Sequence, residues 1–503
     1  MPTGKVYLIG AGPGDAGLIT VRGVELLARA DAVLYDYLVN PAILKHCQPE
    51  ALKISLGKHG SGRVMSQDAI NQLLETLVQD HATVIRLKSG DPMVFARAGE
   101  ELDFLAQRSI PFEVVPGVTA ALAAAAYTGI PVTHRDTASA VAFVTGQEDD
   151  AKTASSLDYP ALASFPGTLV FYMGVTTARH WSQALIEAGK SPATPVAILR
   201  RVSTPSQQRI DSNLGGVADV LERQHVRPPV VFIVGDVASH GVAWSWFEKR
   251  PLFGQTVLVT RPLDQADGLI RPLAELGANV LTQPAIEIKP LRPTDTSDRA
   301  LDLLERFQWL VFSSSNGVRC FFDRLLEPLI QPPRDIRALG KIKIAAIGPG
   351  TADELSRYHV KADLIPDEYR AESLAHSLAG GAAGKRFLLI RASRGREVLA
   401  EELTKAGAVV EQLVVYESLD VEKPDPNIAA KMAAGEIHWT TVTSSAIARS
   451  LVNLFGDSLH KTRLASISPI TSATLRELGF EPVAEAKEYT MAGVIDAIKS
   501  HVQ

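Results

Sequence analysis

The sequence predicts an α/β protein whose second half is a pair of similar α/β lobes, and three observations predict it. Val6–Ile9 is a continuous apolar run closed by Gly10, Gly12, Gly14 and Asp15. Such a run, without polar alternation, suits a strand buried on both faces of a parallel sheet, and the glycines let the following backbone approach a ligand with no Cβ in the way. The same order of strand, tight turn and helix returns after Val84–Leu87 and again after Val114. Finally, the chain repeats itself: Gly254–Arg261, GQTVLVTR, matches Gly384–Arg391, GKRFLLIR, and the register continues from Leu269, Gly277 and Glu287 to Leu399, Gly407 and Glu417. Self-similarity at a fixed offset marks one structural unit used twice.

With 503 residues, 46% hydrophobic and 21% charged, and a net charge of −5, the chain has ample material for a core and no basic excess to suggest nucleic acid. Cys47 and Cys320 stand far apart and form no ligand pair, which argues against a disulfide framework or a zinc site and fits a reducing compartment. No metal is implied. The first strand is entered without a basic segment or an apolar run of signal-peptide length, so a cytoplasmic location is expected. Val114–Val132 is free of charge, but Pro116, Gly117, Gly129 and Pro131 around an alanine run predict a buried helix near a ligand rather than a membrane span.

Taken in order, Gly12, Gly14 and Gly17 spell GxGxxG, the string of a dinucleotide loop. Pro13 removes an N–H such a loop would use, and Leu18 and Ile19 delay the helix, so that reading is not favoured. Thr20 is placed to cap a helix through Val24, Leu26, Leu27 and Ala30. Ala32–Tyr35 reads as a strand with Asp36 at its C-terminal end, where open α/β sheets keep ligand chemistry, although turn capping is the plainer role for an aspartate there. Lys58 lies in the glycine-flanked loop GKHG, Ser89, Gly90 and Asp91 follow the strand Val84–Leu87, and Thr119 opens the helix after Pro116.

GAGPGD, VLYDYLV from Val33, GKHG from Gly57, SGDP from Ser89, PGVTAA from Pro116, GIPVTHR from Gly129, FYMG from Phe171 and PPVVFIVGDV from Pro228 together resemble the tetrapyrrole methylase family, in its order and across nearly all of the first half. The resemblance implies a two-subdomain tetrapyrrole methylase fold over residues 1–245, S-adenosylmethionine in the cleft between the subdomains with S-adenosylhomocysteine as product, and a homodimer. Carried over residue by residue, the implied cofactor contacts are Pro13, Ser89, Gly90, Asp91, Val94, Thr119, Ala120, Met173 and Val202. Asp36 and Lys58 align with the family's proton acceptor and donor. The chain departs from the family at Ser89-Gly90, where a glycine pair is usual, and at Arg201–Ser203, where the family has arginine-glycine-threonine. A backbone contact at Val202 therefore requires a negative φ there.

Behind a short connector at 246–253, TRP from Thr260, FSSSNGV from Phe312, IGPGTA from Ile347, VVYE from Val414 and TSSA from Thr443 resemble uroporphyrinogen-III synthase over residues 254–503. This implies two lobes that exchange their first segments across a two-stranded linker, with the copies at 254–383 and 384–503, acting on hydroxymethylbilane, an octacarboxylate. Hydroxyls at helix starts, Ser314, Ser315, Thr351, Ser444, Ser445 and Thr471, suit such an anion, with Arg391, Arg394 and Arg396 adding charge at the cleft. Ile470 departs from the threonine pair usual at the last of these loops. Tyr416 aligns with the tyrosine suspected of assisting loss of the bilane hydroxyl, and the repeat puts Ile286 at the equivalent site.

The joint expectation is a bifunctional enzyme that closes hydroxymethylbilane to uroporphyrinogen III and methylates it at C2 and C7 to precorrin-2, for sirohaem or cobalamin. Two readings stay open beside it: methylation of another corrin intermediate, and a second half that only binds tetrapyrrole.

Overall fold

The structure is a computed structural model that describes residues 4–57, 65–148, 155–241, 243–291, 300–326, 334–395 and 397–502. The chain divides into two compact units, Met1–Gly254 with Leu276–Asn279, and Gln255–Glu275 with Val280–Gln503.

The first unit holds two five-stranded sheets. β1 (Lys5–Gly10), β2 (Ala32–Tyr35), β3 (Leu52–Ser55), β4 (Thr83–Lys88) and β5 (Phe112–Val115) form the first, in the order β3-β2-β4-β1-β5 and entirely parallel. Val6, Leu8, Ile9, Val33, Leu34, Val84 and Ile85 are fully buried, as unalternating runs covered on both faces should be. All five C-terminal ends therefore lie along one edge of the sheet. β6 (Val141–Thr145), β7 (Thr168–Tyr172), β8 (Pro195–Arg200), β9 (Gln208–Asn213) and β10 (Val230–Val234) form the second, in the order β6-β7-β10-β8-β9, with only β6 and β7 parallel. Phe171, Phe232 and Trp181 make its core, the Phe171 and Trp181 rings stacking 4.4 Å apart.

The charge-free stretch becomes the helix Ala120–Thr128, ended by Gly129 in the left-handed conformation at φ 72°. Among the described residues no helix is long and apolar enough to cross a membrane. The connector expected at 246–253 is corrected: it packs into the first unit. Trp246 Nε1 donates to the Ala126 carbonyl at 2.9 Å, the Phe247 ring lies 4.8 Å from Tyr127, and Phe247 and Leu252 are buried. Aromatic side chains in a polar stretch are a packing signal, and burying them outweighs freedom of the segment.

In the second unit the repeated segments do not form one lobe each. β11 (Thr256–Val259) and β12 (Asn279–Thr282) join β18 (Trp439–Val442), β19 (Arg463–Ser466) and β20 (Ala484–Glu485) in the sheet β12-β11-β18-β19-β20, called lobe A. β13 (Ile286–Pro290), β14 (Trp309–Phe312), β15 (Lys343–Ala346), β16 (Arg386–Ala392) and β17 (Val409–Asp420) form the sheet β13-β17-β16-β14-β15, lobe B. The opening strands of each copy thus complete the sheet of the other. β13 and β17 run antiparallel, Ile286 opposite Asp420 and Pro290 opposite Tyr416, and carry the chain between the lobes. The boundary at 383/384 thus separates the copies of the duplication and not the lobes, and the exchange is the one the resemblance implied.

Two candidate active sites

In the first unit, the loops after β1, β4 and β5 meet at the shared sheet edge. Gly12 and Gly90 exchange backbone hydrogen bonds, Gly12 N to Gly90 O at 3.2 Å and Gly90 N to Gly12 O at 2.9 Å, which sets Pro13 beside Ser89. Asp91 then ties in the third loop, accepting from Gly117 N at 2.9 Å and from Met93 N at 2.8 Å. The approach is close: a Cβ on Gly117 would stand 2.3 Å from Gly90 O, and one on Gly10 would stand 2.5 Å from Gly117 Cα. Gly90 itself, at φ 71°, faces open space, with Ala120 N at 3.9 Å the only atom near the place of a Cβ. This small cradle is built of backbone and glycine around one carboxylate, Asp91, and it brings together Pro13, Ser89, Gly90 and Asp91 of the expected cofactor contacts.

The second sheet closes the cradle. Thr119 Oγ1 and Tyr172 OH lie 2.7 Å apart, Ala121 N donates to the same phenol at 3.0 Å, and Met173, the next residue, is half exposed. Val94 packs beside Ala121 and Val202. In the 201–203 turn the left-handed residues are Arg201 at φ 49° and Ser203 at φ 58°, not Val202, which meets the requirement set by the sequence. Ser203 Oγ accepts from Asp15 N at 3.2 Å and locks this turn to the first loop. Phe95, Met173, Arg201 and Ser203 all carry positive φ, strain that well-packed loops tolerate where backbone must be aimed.

Asp36 ends β2 next to β4, where Arg86 Nη2 meets its Oδ1 at 2.6 Å. Arg86 is itself buried and also bonds Glu101 Oε1 at 3.2 Å, which accepts from Lys88 Nζ at 2.8 Å and Gln67 Nε2 at 3.1 Å. Burial pushes the Lys88 ammonium below its ordinary value, and Arg86 adds to this while Glu101 opposes it. Asp36 is thus an oriented carboxylate on a buried charge network. Sequence reasoning did not assign Arg86 and Glu101; the available signal was two cations, Arg86 and Lys88, inside an otherwise apolar central strand. Lys58 lies outside the described residues.

In the second unit a cleft of ≈420 Å³ opens between the lobes. Lobe A lends it Arg261, Thr443, Ser444 and Arg449, and lobe B lends it Arg394 and Tyr416. Tyr416 is buried, its phenol 3.0 Å from Ser314 Oγ, and burial raises its pKa while the Ser314 contact pulls the other way. The lobes are bridged at the cleft by Gln265 Nε2 donating to Asn316 Oδ1 at 2.6 Å and by Arg319 pairing with Asp264 at 2.6 Å.

Several expected substrate contacts are otherwise engaged. Ser314 and Ser444 cap their own helices, accepting from Gly317 N at 3.0 Å and Ile447 N at 3.2 Å. Thr351 and Thr471 are buried, Ser315 donates to Gly350 O, and Ser445 accepts from Thr474. Arg391 is spent on Glu397 and Gln412, and Arg396 lies outside the described residues. Of the two described arginines Arg394 lines the cleft, and Asp420 neutralises it with a two-point ion pair at 2.8 and 3.0 Å. The physical reason is local: a hydroxyl or guanidinium at a helix start is claimed first by the nearest unsatisfied group.

Residues 5–218 match the tetrapyrrole (corrin/porphyrin) methylases, and residues 267–496 match uroporphyrinogen-III synthase HemD. A porphyrin biosynthesis protein HemD of Ruminiclostridium josui is 33% identical over 98% of this chain and 95% of its own. The chain belongs to this family, a tetrapyrrole methylase followed by a uroporphyrinogen-III synthase. It is a bifunctional protein of tetrapyrrole biosynthesis. A uroporphyrinogen-III C-methyltransferase of Bacillus subtilis is 36% identical over 71% of this chain and 72% of its own. Among solved structures, the uroporphyrin III C-methyl transferase of Thermus thermophilus is 39% identical, covers 46% of this chain and 93% of its own, and has a TM-score of 0.40.

Proposed function

We propose that the second unit closes hydroxymethylbilane to uroporphyrinogen III and that the first methylates this product at C2 and C7, giving precorrin-2. The observation that carries the reading is Tyr416, a phenol kept protonated by burial at a cleft that both lobes line. Such a group can donate its proton to the departing hydroxyl of the bilane as the C–O bond breaks, and take a proton back when the ring closes. The name of the Bacillus subtilis relative supports uroporphyrinogen III as the substrate of the first unit.

S-adenosylmethionine supplies an electrophilic methyl group on a cationic sulfonium. Pro13, Ser89, Gly90, Asp91, Val94, Thr119, Ala120, Met173 and Val202 would hold it. What remains for the protein is chiefly placement of an electron-rich pyrrole carbon, worth several kcal/mol when well made, about 7–11 at the limit. Asp36, held by Arg86, accepts the proton the pyrrole gives up, and Lys58 is the donor in this scheme. A homodimer through the first unit is part of the proposal: β6 is an edge strand with Val141 and Phe143 partly exposed, a surface that pairing would cover. Light scattering of the purified chain checks this.

The deciding experiment is one incubation with hydroxymethylbilane and S-adenosylmethionine. Precorrin-2 is expected, with uroporphyrinogen III when the methyl donor is withheld. Spontaneous type I isomer alone would remove ring closure, and type III product left unmethylated would remove the assignment of the first unit.

A further inference from the structure

The cleft of the second unit carries an unbalanced charge. Of the residues lining it among those described, three are arginines and none is an aspartate or glutamate. Arg394 is neutralised by Asp420. Arg261 has no carboxylate partner among the described residues. Its Nη2 donates to Gln265 Oε1 at 2.9 Å and its Nη1 reaches Thr443 Oγ1 only at 3.4 Å, while its Nε is buried with no acceptor. Asp264, the carboxylate whose field reaches it, is already paired with Arg319. Arg449, at the exposed rim, has no ion pair among the described residues.

A guanidinium taken from water without a carboxylate is costly, and a buried N–H without an acceptor adds about 1–3 kcal/mol. The orphaned nitrogen alone does not mark a site, since Arg386 and Arg209 each keep one while paired with a carboxylate; Arg261 combines it with having no carboxylate partner among the described residues, which leaves room for a ligand to complete it. Arginine also presents a planar fork that matches a carboxylate at two points, so it fixes direction as well as attraction. Tyr416 lines the same cleft from the opposite lobe.

We infer that Arg261 is a substrate anchor of the second unit, binding a ring carboxylate and so setting the ring that bears it against Tyr416, with Arg449 drawing a second carboxylate to the rim. The inference rests on the ring-closure reading. It differs from the sequence expectation, which placed this charge on Arg391, Arg394 and Arg396. The duplication keeps an arginine at 261 and at 391, yet only the first is left without a carboxylate, which is what a single asymmetric substrate in the cleft requires.

The test titrates the full chain with uroporphyrin III, the oxidised product with the same set of carboxylates, by porphyrin fluorescence, and measures KM and kcat for hydroxymethylbilane. Arg261→Gln is expected to weaken binding about tenfold or more and to raise KM. Arg261→Lys, which keeps the charge but not the fork, should fall between. Arg449→Glu should weaken binding ~threefold at low salt, a difference that added salt removes. Because the first unit is also proposed to take this ring system, a folded Arg261→Gln that matches the parent within about twofold in both affinity and KM for hydroxymethylbilane overturns the anchor. If that variant does not fold, unchanged affinity and KM in both Arg261→Lys and Arg449→Glu overturn it instead. A parent that binds uroporphyrin III but makes no type III isomer removes the ring-closure reading and leaves an anion cleft standing. A parent that makes type III isomer while every variant matches it in affinity and KM removes the anchor alone.

Discussion

The two candidate sites treat charge in opposite ways. In the first unit the buried cations Arg86 and Lys88 are balanced by Glu101 and Asp36, and the one carboxylate of the cradle, Asp91, is engaged by the backbone N–H groups of Met93 and Gly117. In the second, Arg261 faces a cleft with no carboxylate in its lining among the described residues. The difference teaches what each site is built to receive. A balanced network fixes the direction of one side chain, whereas an unbalanced guanidinium waits for an anion from outside. The fold makes both cheaply, because each site sits at strand ends where loops from separate strands converge.

The strongest way to break the comparison is to unbalance the first site. Glu101 is fully buried and accepts from Arg86 and Lys88, so Glu101→Gln should cost about 3–5 kcal/mol of stability in denaturant unfolding, and salt should not restore it. Arg261→Gln, which removes a cation that no carboxylate balances, should cost much less in the same assay. Equal losses would show that the two units handle buried charge alike.

Next in size is Asp36→Asn. With Arg86 still present the side chain keeps its place but loses its basicity, so methylation should slow by about 10²-fold or more while S-adenosylhomocysteine binding by calorimetry stays near the parent value. Loss of that binding in a folded variant would make Asp36 part of the pocket. Much of this site was legible in the sequence: Gly12, Gly90, Asp91 and Thr119 lie where strand-end reasoning put them, because glycine and carboxylate at a strand end serve backbone approach wherever they occur. Arg86 and Glu101 were not legible as a pair, since partners brought together by a strand and a later helix leave no spacing rule. The lobe exchange was legible only through the resemblance, because a repeat reports what each copy can form and not which copy it pairs with. Arg391 failed for a local reason: Glu397 at the start of the following helix and Gln412 on the neighbouring strand claim its guanidinium.

A comparable effect on rate is expected at the other site. Tyr416→Phe should slow ring closure about 10²-fold with little change in thermal stability. Its pKa is raised above the unfolded value by burial, so the phenol stays protonated in the folded chain past that unfolded value, about 10, and the stability this contributes is fully present below the unfolded value and is lost as pH rises from there through the raised one. The kcat for ring closure should therefore show no alkaline limb from this group below about pH 10. A limb centred near neutrality would assign the proton to another residue.

The smallest effect sharpens the comparison within the duplication itself. Ser314 and Ser444 stand at matching places and cap matching helices, Ser315–Leu325 and Ser445–Phe455, so replacing either by alanine removes one acceptor from a helix start and should cost about 1 kcal/mol. Only Ser314 also touches Tyr416, at 3.0 Å. That contact holds the phenol in place and lowers its pKa against the effect of burial, so without it the tyrosine becomes a weaker acid with a freer ring torsion. Ser314→Ala should therefore match Ser444→Ala in thermal unfolding but slow ring closure severalfold more. Combining Ser314→Ala with Tyr416→Phe should then add almost nothing to the loss from Tyr416→Phe alone, since the hydroxyl acts through the phenol. If the two losses multiply instead, Ser314 reaches the substrate by its own contact and the asymmetry between the copies does not run through Tyr416.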